Sequence, residues 1–184
     1  MKNVLLVLLL PVLIAAGCRA VAAAEDAPAP NIPCDLQLKV QPDQRRMEAS
    51  GTARLPGSKS TRESVVLTLR SDMADLHVEV VSPPECAGPA EVRAQGVPAG
   101  GHDTDWIIRP KHPFPAGSDI SLKFSYAGGK KQSFVFYLGS AGCFAGGPNS
   151  AWYPQFDSAR STGSLRFEVP KGLIVKATGS SVKP

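Results

Sequence analysis

The chain predicts an all-β fold, a single β-sandwich or curved open β-sheet domain. Beyond the first 31 positions, apolar residues alternate with polar ones or form short continuous runs, the two patterns of half-buried and fully buried strands. No segment there carries the i, i+3, i+4, i+7 apolar spacing of an amphipathic helix. Gly and Pro number 17 each against only 7% aromatic residues, a balance that favours short strands and many turns.

Leu36, Leu38 and Val40 alternate, and Pro42-Asp43 turns the chain toward a return strand through Gly51-Thr52-Ala53. Gly51 relaxes that strand, and Thr52 suits a half-exposed β position. Residues 65–69 form a nearly continuous run, which predicts a strand covered on both faces. Leu76, Val78 and Val80 alternate and place His77 outward. Residues 106–108 give a short strand, and Ile120, Leu122, Phe124 and Tyr126 give the cleanest alternation in the chain. Residues 134–138 are continuous; Leu165, Phe167 and Val169 alternate; residues 173–175 close the set. Turn signals at Pro56-Gly57, Pro83-Pro84, 99–101, 127–129, 146–148 and Lys171-Gly172 separate these segments. The spacing predicts about nine to twelve short strands.

The N-terminus has a different character. Met1-Lys2-Asn3 is short and basic, and residues 4–16 are apolar apart from Pro11. Small residues follow, so residues 1–24 read as an export signal, too short for a membrane span of about 20 residues. Two cleavage routes stand open. Ile14-Ala-Ala-Gly-Cys18 has the layout of a lipobox, which makes Cys18 a candidate lipidated residue and gives a membrane attachment. Val21-Ala-Ala-Ala24 has the layout of an ordinary signal-peptidase site. Either route predicts an exported protein of the bacterial periplasm, anchored to the envelope or secreted. Residues 25–31, with Ala27-Pro-Ala-Pro30, form a stiff tether, and residues 32–184 form one domain.

The formal charge of +4 falls to +2 once Lys2 and Arg19 leave with the signal. No basic run exceeds Lys130-Lys131, so nucleic acid is not an expected partner. Cys34, Cys86 and Cys143 remain in the mature chain, an odd number with no CxxC spacing. That excludes a zinc ribbon or a thioredoxin-like motif and leaves buried small hydrophobes with at most one bridge.

Two stretches carry a family resemblance. Residues 150–160 run Ser-Ala-Trp-Tyr-Pro-Gln-Phe-Asp-Ser-Ala-Arg, and the following strand ends in Val169-Pro-Lys-Gly172 before Val175-Lys-Ala-Thr-Gly179. At the other end, Cys34-Asp-Leu-Gln-Leu-Lys-Val leads through a polar turn with Arg45-Arg46 to Gly51-Thr-Ala53. In this order the pieces resemble the N-terminal β-domain of aminopeptidase N-like (gluzincin) zinc metallopeptidases. Family members usually carry Tyr where this chain has Cys34, and Glu-Pro where it has Ser158-Ala159. The resemblance implies that Trp152, Tyr153, Pro154, Phe156 and Asp157 form a structural corner at the domain edge. It also implies that the β-domain continues beyond residue 184, so its last strands are expected to be missing.

The same resemblance defines what this sequence lacks. Family zinc chemistry uses His-Glu-x-x-His on one helix, where i, i+4 spacing puts both imidazoles on one face and the Glu serves as base. The three histidines here, His77, His102 and His112, are not followed by Glu and do not pair at i+4. The family's Gly-x-Met-Glu-Asn segment is also absent. The subsite Gln or Glu, about ten residues before the corner, would fall at Cys143 and is not matched. No catalytic, metal or substrate residue is therefore assigned, and zinc is expected only in a catalytic domain that these residues do not include. His102-Asp103-x-Asp105 reads as a solvated turn beside glycines rather than a metal loop. Gly139-Ser-Ala-Gly142 is half of a nucleophile elbow and no more. The expected function is a non-catalytic scaffold and cleft-lining domain whose partner is a metallopeptidase catalytic domain. The alternative is a free-standing cell-envelope β-sandwich binding module, and a decayed peptidase remnant is a third reading.

Overall fold

A computed structural model describes residues 31–96, 102–131, 133, 136–139, 142–145, 151–157, 159 and 161–176. The export segment, Cys18, the tether up to Pro30, the turns at 99–101 and 146–148, and Arg160 lie outside the described residues.

The chain enters on β1 (Ile32–Gln41), whose alternate side chains from Ile32 to Val40 are buried. A 3₁₀ turn at Pro42–Gln44 and left-handed Arg45 (φ 48°) reverse it into β2 (Arg46–Leu55). There follow β3 (Val65–Arg70), β4 (Ala74–Ser82), β5 (Gly88–Pro89), β6 (Glu91–Ala94) and β7 (Asp103–Arg109). Next come β8 (Ile120–Gly128), β9 (Phe136–Gly139) and β10 (Gly142–Ala145). The last are β11 (Gln155–Phe156), β12 (Ser161–Thr162) and β13 (Leu165–Glu168). The all-β expectation holds. The thirteen strands among the described residues exceed the expected number because β5, β11 and β12 have two residues each, too few to show a period.

The large sheet has the order β1-β2-β8-β4-β5, with β12 and then β13 running parallel to β1 along its outer side. A four-stranded antiparallel sheet, β11-β3-β7-β6, faces it, and β9-β10 is a separate hairpin. Register puts Leu36, Gly51, Phe124 and Val78 in one row across the large sheet. A Cβ on Gly51 would run into the Asp35 carbonyl oxygen and stand 3.1 Å from both Leu36 Cδ1 and Phe124 Cζ. Gly51 is therefore a packing glycine: its missing side chain is the space that its neighbours occupy. The two sheets share one core, and the Phe124 and Phe156 rings join them at 6.0 Å between centroids and a 60° tilt.

Three expectations need correction. Val65, Leu67 and Leu69 are fully buried, but Val66 and Thr68 are only half-buried, so β3 is sealed on one face and not on both. Leu165 is 47% exposed on β13, which pairs only with β1 among the described residues. Residues 173–175 form no strand: the Pro170–Leu173 turn, with Gly172 at φ 95°, delivers Ile174 to solvent at 85% exposure.

The parallel pairing at the β1 edge is pinned by Asp35. Its Oδ1 accepts hydrogen bonds from the Ser164 hydroxyl at 2.6 Å and the Ser164 amide at 3.0 Å. Gly163 (φ 148°) passes so close to the Cys34 backbone that no Cβ fits. The two Ser164 bonds hold the Asp35 carboxyl below its usual range. The depressed value means that this contribution is present at neutral pH and is lost as pH falls through the folded-state pKa.

Cys34 and Cys86 are buried free thiols, and Cys143 is free and exposed. Burial, with a smaller push from Asp35, raises the Cys34 thiol to about 12. Burial likewise raises Cys86, beside Glu85. Both are therefore inert small hydrophobes at neutral pH. Cys143 departs from that reading.

Candidate functional site

The five residues from Trp152 to Asp157 named in the sequence lie in one described segment, 151–157. Trp152, Pro154 and Phe156 are buried, and Tyr153 is half-buried. The Trp152 and Tyr153 rings meet edge to face at 5.1 Å. The buried Tyr126 hydroxyl, on β8, donates to the Trp152 carbonyl at 2.9 Å, tying the corner to the large sheet. Burial raises the Tyr126 pKa well above its usual value, so the donor stays protonated. Gln155 and Phe156 then pair with Thr68 and Leu67 of β3.

Asp157 closes the corner. It sits at φ 47°, a region that Asp tolerates better than most residues. One carboxylate oxygen accepts from the Arg62 guanidinium at 2.6 Å and the other from the Val66 amide at 3.2 Å. The Asp157 amide donates to the Val66 carbonyl at 3.1 Å. Asp157→Ala is expected to cost about 1–2 kcal/mol in urea unfolding and Asp157→Asn less, since Asn keeps the left-handed backbone and an acceptor.

Arg70 was not legible as a site residue in the sequence. It ends β3, is only 4% exposed, and gathers four segments. Its guanidinium donates to Asp72 Oδ1 at 3.1 Å, the Lys131 carbonyl at 2.8 Å and the Ser133 hydroxyl at 3.3 Å. The guanidinium carbon lies 4.4 Å from the Phe136 ring centre. Its amide donates to Ala151, the first described residue of the corner, at 2.8 Å. Asp72 accepts in addition from the Lys131 amide at 2.9 Å. An Arg-x-Asp directly after an apolar run is the only sequence signal, and it reads as an ordinary surface pair.

The His102-Asp103-x-Asp105 segment is not a solvated turn. Asp103 and Asp105 lie on β7, across from Arg70 and Thr68, and only His102 precedes the strand as an exposed residue. Thr68 Oγ1 donates to Asp105 Oδ1 at 2.6 Å. Burial raises the Asp103 pKa, partly offset by the Ala151 amide and by the nearby Arg70 and His102 charges. A raised folded-state pKa makes the ionised carboxylate a liability as pH rises through it. Asp103→Asn is therefore expected to raise the melting temperature near neutral pH, with the gain vanishing in acid, as thermal scans across pH would show. His77 faces outward as expected, and His112 is exposed.

The outer face of the large sheet forms two adjoining shallow depressions of about 450 and 460 Å³ that share Ser50, His77 and Ser125. Their floor is hydroxyls, amide and short side chains, flanked by charges of both signs such as Lys39, Glu48 and Lys123. Such a surface offers hydrogen-bonding groups, with His77 of β4 directly opposite Ser125 of β8. Among the described residues, no three His, Cys, Asp or Glu side chains converge for a metal ion.

This arrangement of sheets is the fold of an N-terminal domain of M1 zinc metallopeptidases. A variant of the Deinococcus radiodurans M1 zinc metallopeptidase, solved with a Tyr-Ser-Ala substrate, superposes with a TM-score of 0.50 at 14% identity. The match covers 83% of this chain and 36% of that one. Native yeast LTA4 hydrolase superposes with a TM-score of 0.51 at 16% identity, over 75% of this chain and 22% of that one. The chain thus spans little more than a third, or less, of the solved proteins that it matches. No protein-family model and no curated protein matches the sequence.

Proposed function

We propose that the chain is the non-catalytic β-domain of an exported zinc aminopeptidase-like protein, a scaffold that packs against a metallopeptidase catalytic domain and walls its substrate cleft. The observation that carries this reading is the Trp152–Asp157 corner, locked to β3 and β8 within a fold shared with M1 enzymes. The absence of His-Glu-x-x-His from the sequence supports a role without chemistry of its own. Zinc belongs to the catalytic partner in this reading.

The test pairs this chain with an M1 catalytic domain expressed without its own β-domain. A stable one-to-one complex, with aminoacyl-chromogenic substrate turned over only when the zinc domain is present, supports the scaffold. Metal-dependent cleavage by this chain alone, or failure to associate, overturns it. The failure to associate would favour the free-standing envelope module.

Location is part of the proposal. Residues 1–24 would direct export, and the two cleavage routes separate by labelling. Incorporation of radioactive palmitate that is lost in Cys18→Ala identifies the lipid-anchored route. An unlabelled mature chain starting near Glu25 identifies ordinary cleavage.

A further inference from the structure

Ala151 is held from two sides. Its carbonyl accepts from the Arg70 amide at 2.8 Å, and its own amide donates to the Asp103 carboxyl. Arg70 and Asp103 stand directly opposite each other at the end of the β3–β7 ladder. The Ser71 amide closes that end on the His102 carbonyl at 2.8 Å. The residue after Ala151 is Trp152, so the Asp103 carboxyl fastens the segment that enters the corner.

The two oxygens of that carboxyl are unequally served. Oδ1 is buried and accepts no hydrogen bond among the described residues. The nearby cation cannot supply one, because the Arg70 guanidinium is committed to Asp72, the Lys131 carbonyl and the Ser133 hydroxyl. Asp105, which accepts from the Thr68 hydroxyl, adds a negative charge on the same strand, and exposed His102 adds a positive one. The corner contributes only the Ala151 amide.

The two protonation states therefore differ in what they can hold. A neutral carboxyl accepts from Ala151 and leaves no buried charge. An ionised one keeps a buried oxygen without a donor, which is costly. Asp103 is only half-buried, so turning its side chain out to water relieves that cost and releases the Ala151 amide.

We propose that Asp103 is a proton-operated latch on the Trp152 corner: the neutral carboxyl holds Ala151 in place, and loss of its proton to water frees Ala151 and loosens the corner. The latch acts on the corner whatever the corner meets, and so goes beyond the scaffold role proposed above. Burial raises the Asp103 carboxyl above its usual range. The latch is then closed below the ordinary carboxylate range and opens as pH rises through the raised value.

Residue-resolved amide hydrogen exchange in the full chain across pH, expressed as protection relative to an unstructured amide, tests this. Protection of the Ala151 amide is expected to fall as pH rises, about tenfold for each unit by which the closed latch raises the carboxyl. The Leu67 amide, farther along the same ladder, keeps its protection. Asp103→Asn retains an acceptor without the charge, so Ala151 stays protected and no longer responds to pH. Asp105→Asn lowers the opening pH, and His102→Gln raises it. The proposal is overturned by Ala151 protection that ignores pH, or that still follows pH in Asp103→Asn. It is overturned equally if Ala151 and Leu67 lose protection together, because the whole ladder then opens at once, or if the Asp103 carboxyl titrates in the ordinary range by NMR.

Discussion

Replacing Arg70 with methionine is expected to lower the stability of the domain by about 3–5 kcal/mol, the usual cost of breaking a buried ion pair from one side. The Asp72 side chain is only 5% exposed and would be left facing the Lys131 amide without its guanidinium partner. Lys131 and Ser133 would lose the donors that hold them, and Phe136 the cation above its ring. In a domain of this size such a loss corresponds to a fall in melting temperature of about 10 °C or more. Loosening around Ala151 is also expected to expose Trp152 and shift its emission to the red. The double variant Arg70→Met with Asp72→Asn is expected to be less damaged than the single one, because it removes the stranded charge. A near-neutral Arg70→Met would mean that the network is ornamental to the fold.

Phe156→Ala is expected to be of similar size, about 3–5 kcal/mol, by a different mechanism. Phe156 is fully buried, belongs to the edge strand β11, and touches Phe124 of the opposite sheet. Its removal opens a cavity between the sheets at the point where the corner is attached. Phe156→Leu refills much of that volume and is expected to cost clearly less. The ratio between the two, measured by urea unfolding, separates cavity cost from loss of the β11–β3 ladder. Near-equal losses would show that the aromatic shape itself is required.

The long alternating strands were the readable part of the sequence. In β1 a two-residue period runs from Ile32 to Val40 and in β8 from Ile120 to Tyr126, and every second side chain meets the core, so pattern and packing carry the same information. The burial of Trp152, Pro154 and Phe156 follows from their type, since large aromatics around a proline favour a packed bend. Arg70 was not readable, because its partners at residues 131, 133, 136 and 151 are distant in sequence. Asp103 and Asp105 were misplaced because their strand begins with polar residues whose partners, Arg70 and Thr68, lie on β3. The expected strand at residues 173–175 had β-branched residues but no neighbour to pair with among the described residues. Propensity alone does not make a strand.

The placement of β13 beside β1 has a kinetic consequence. β1 is flanked on one side by a strand far along the chain, and the Asp35–Ser164 hydrogen bonds close a span of 129 residues. Contacts of such separation form slowly, because the whole intervening loop must be ordered before they are rewarded. On the ribosome, β1 can pair with β2 early, yet its other side stays bare until residues 161–168 have emerged. The large sheet therefore cannot be completed at β1 until those residues are made, and β1 stays a one-sided strand throughout the synthesis of the intervening residues.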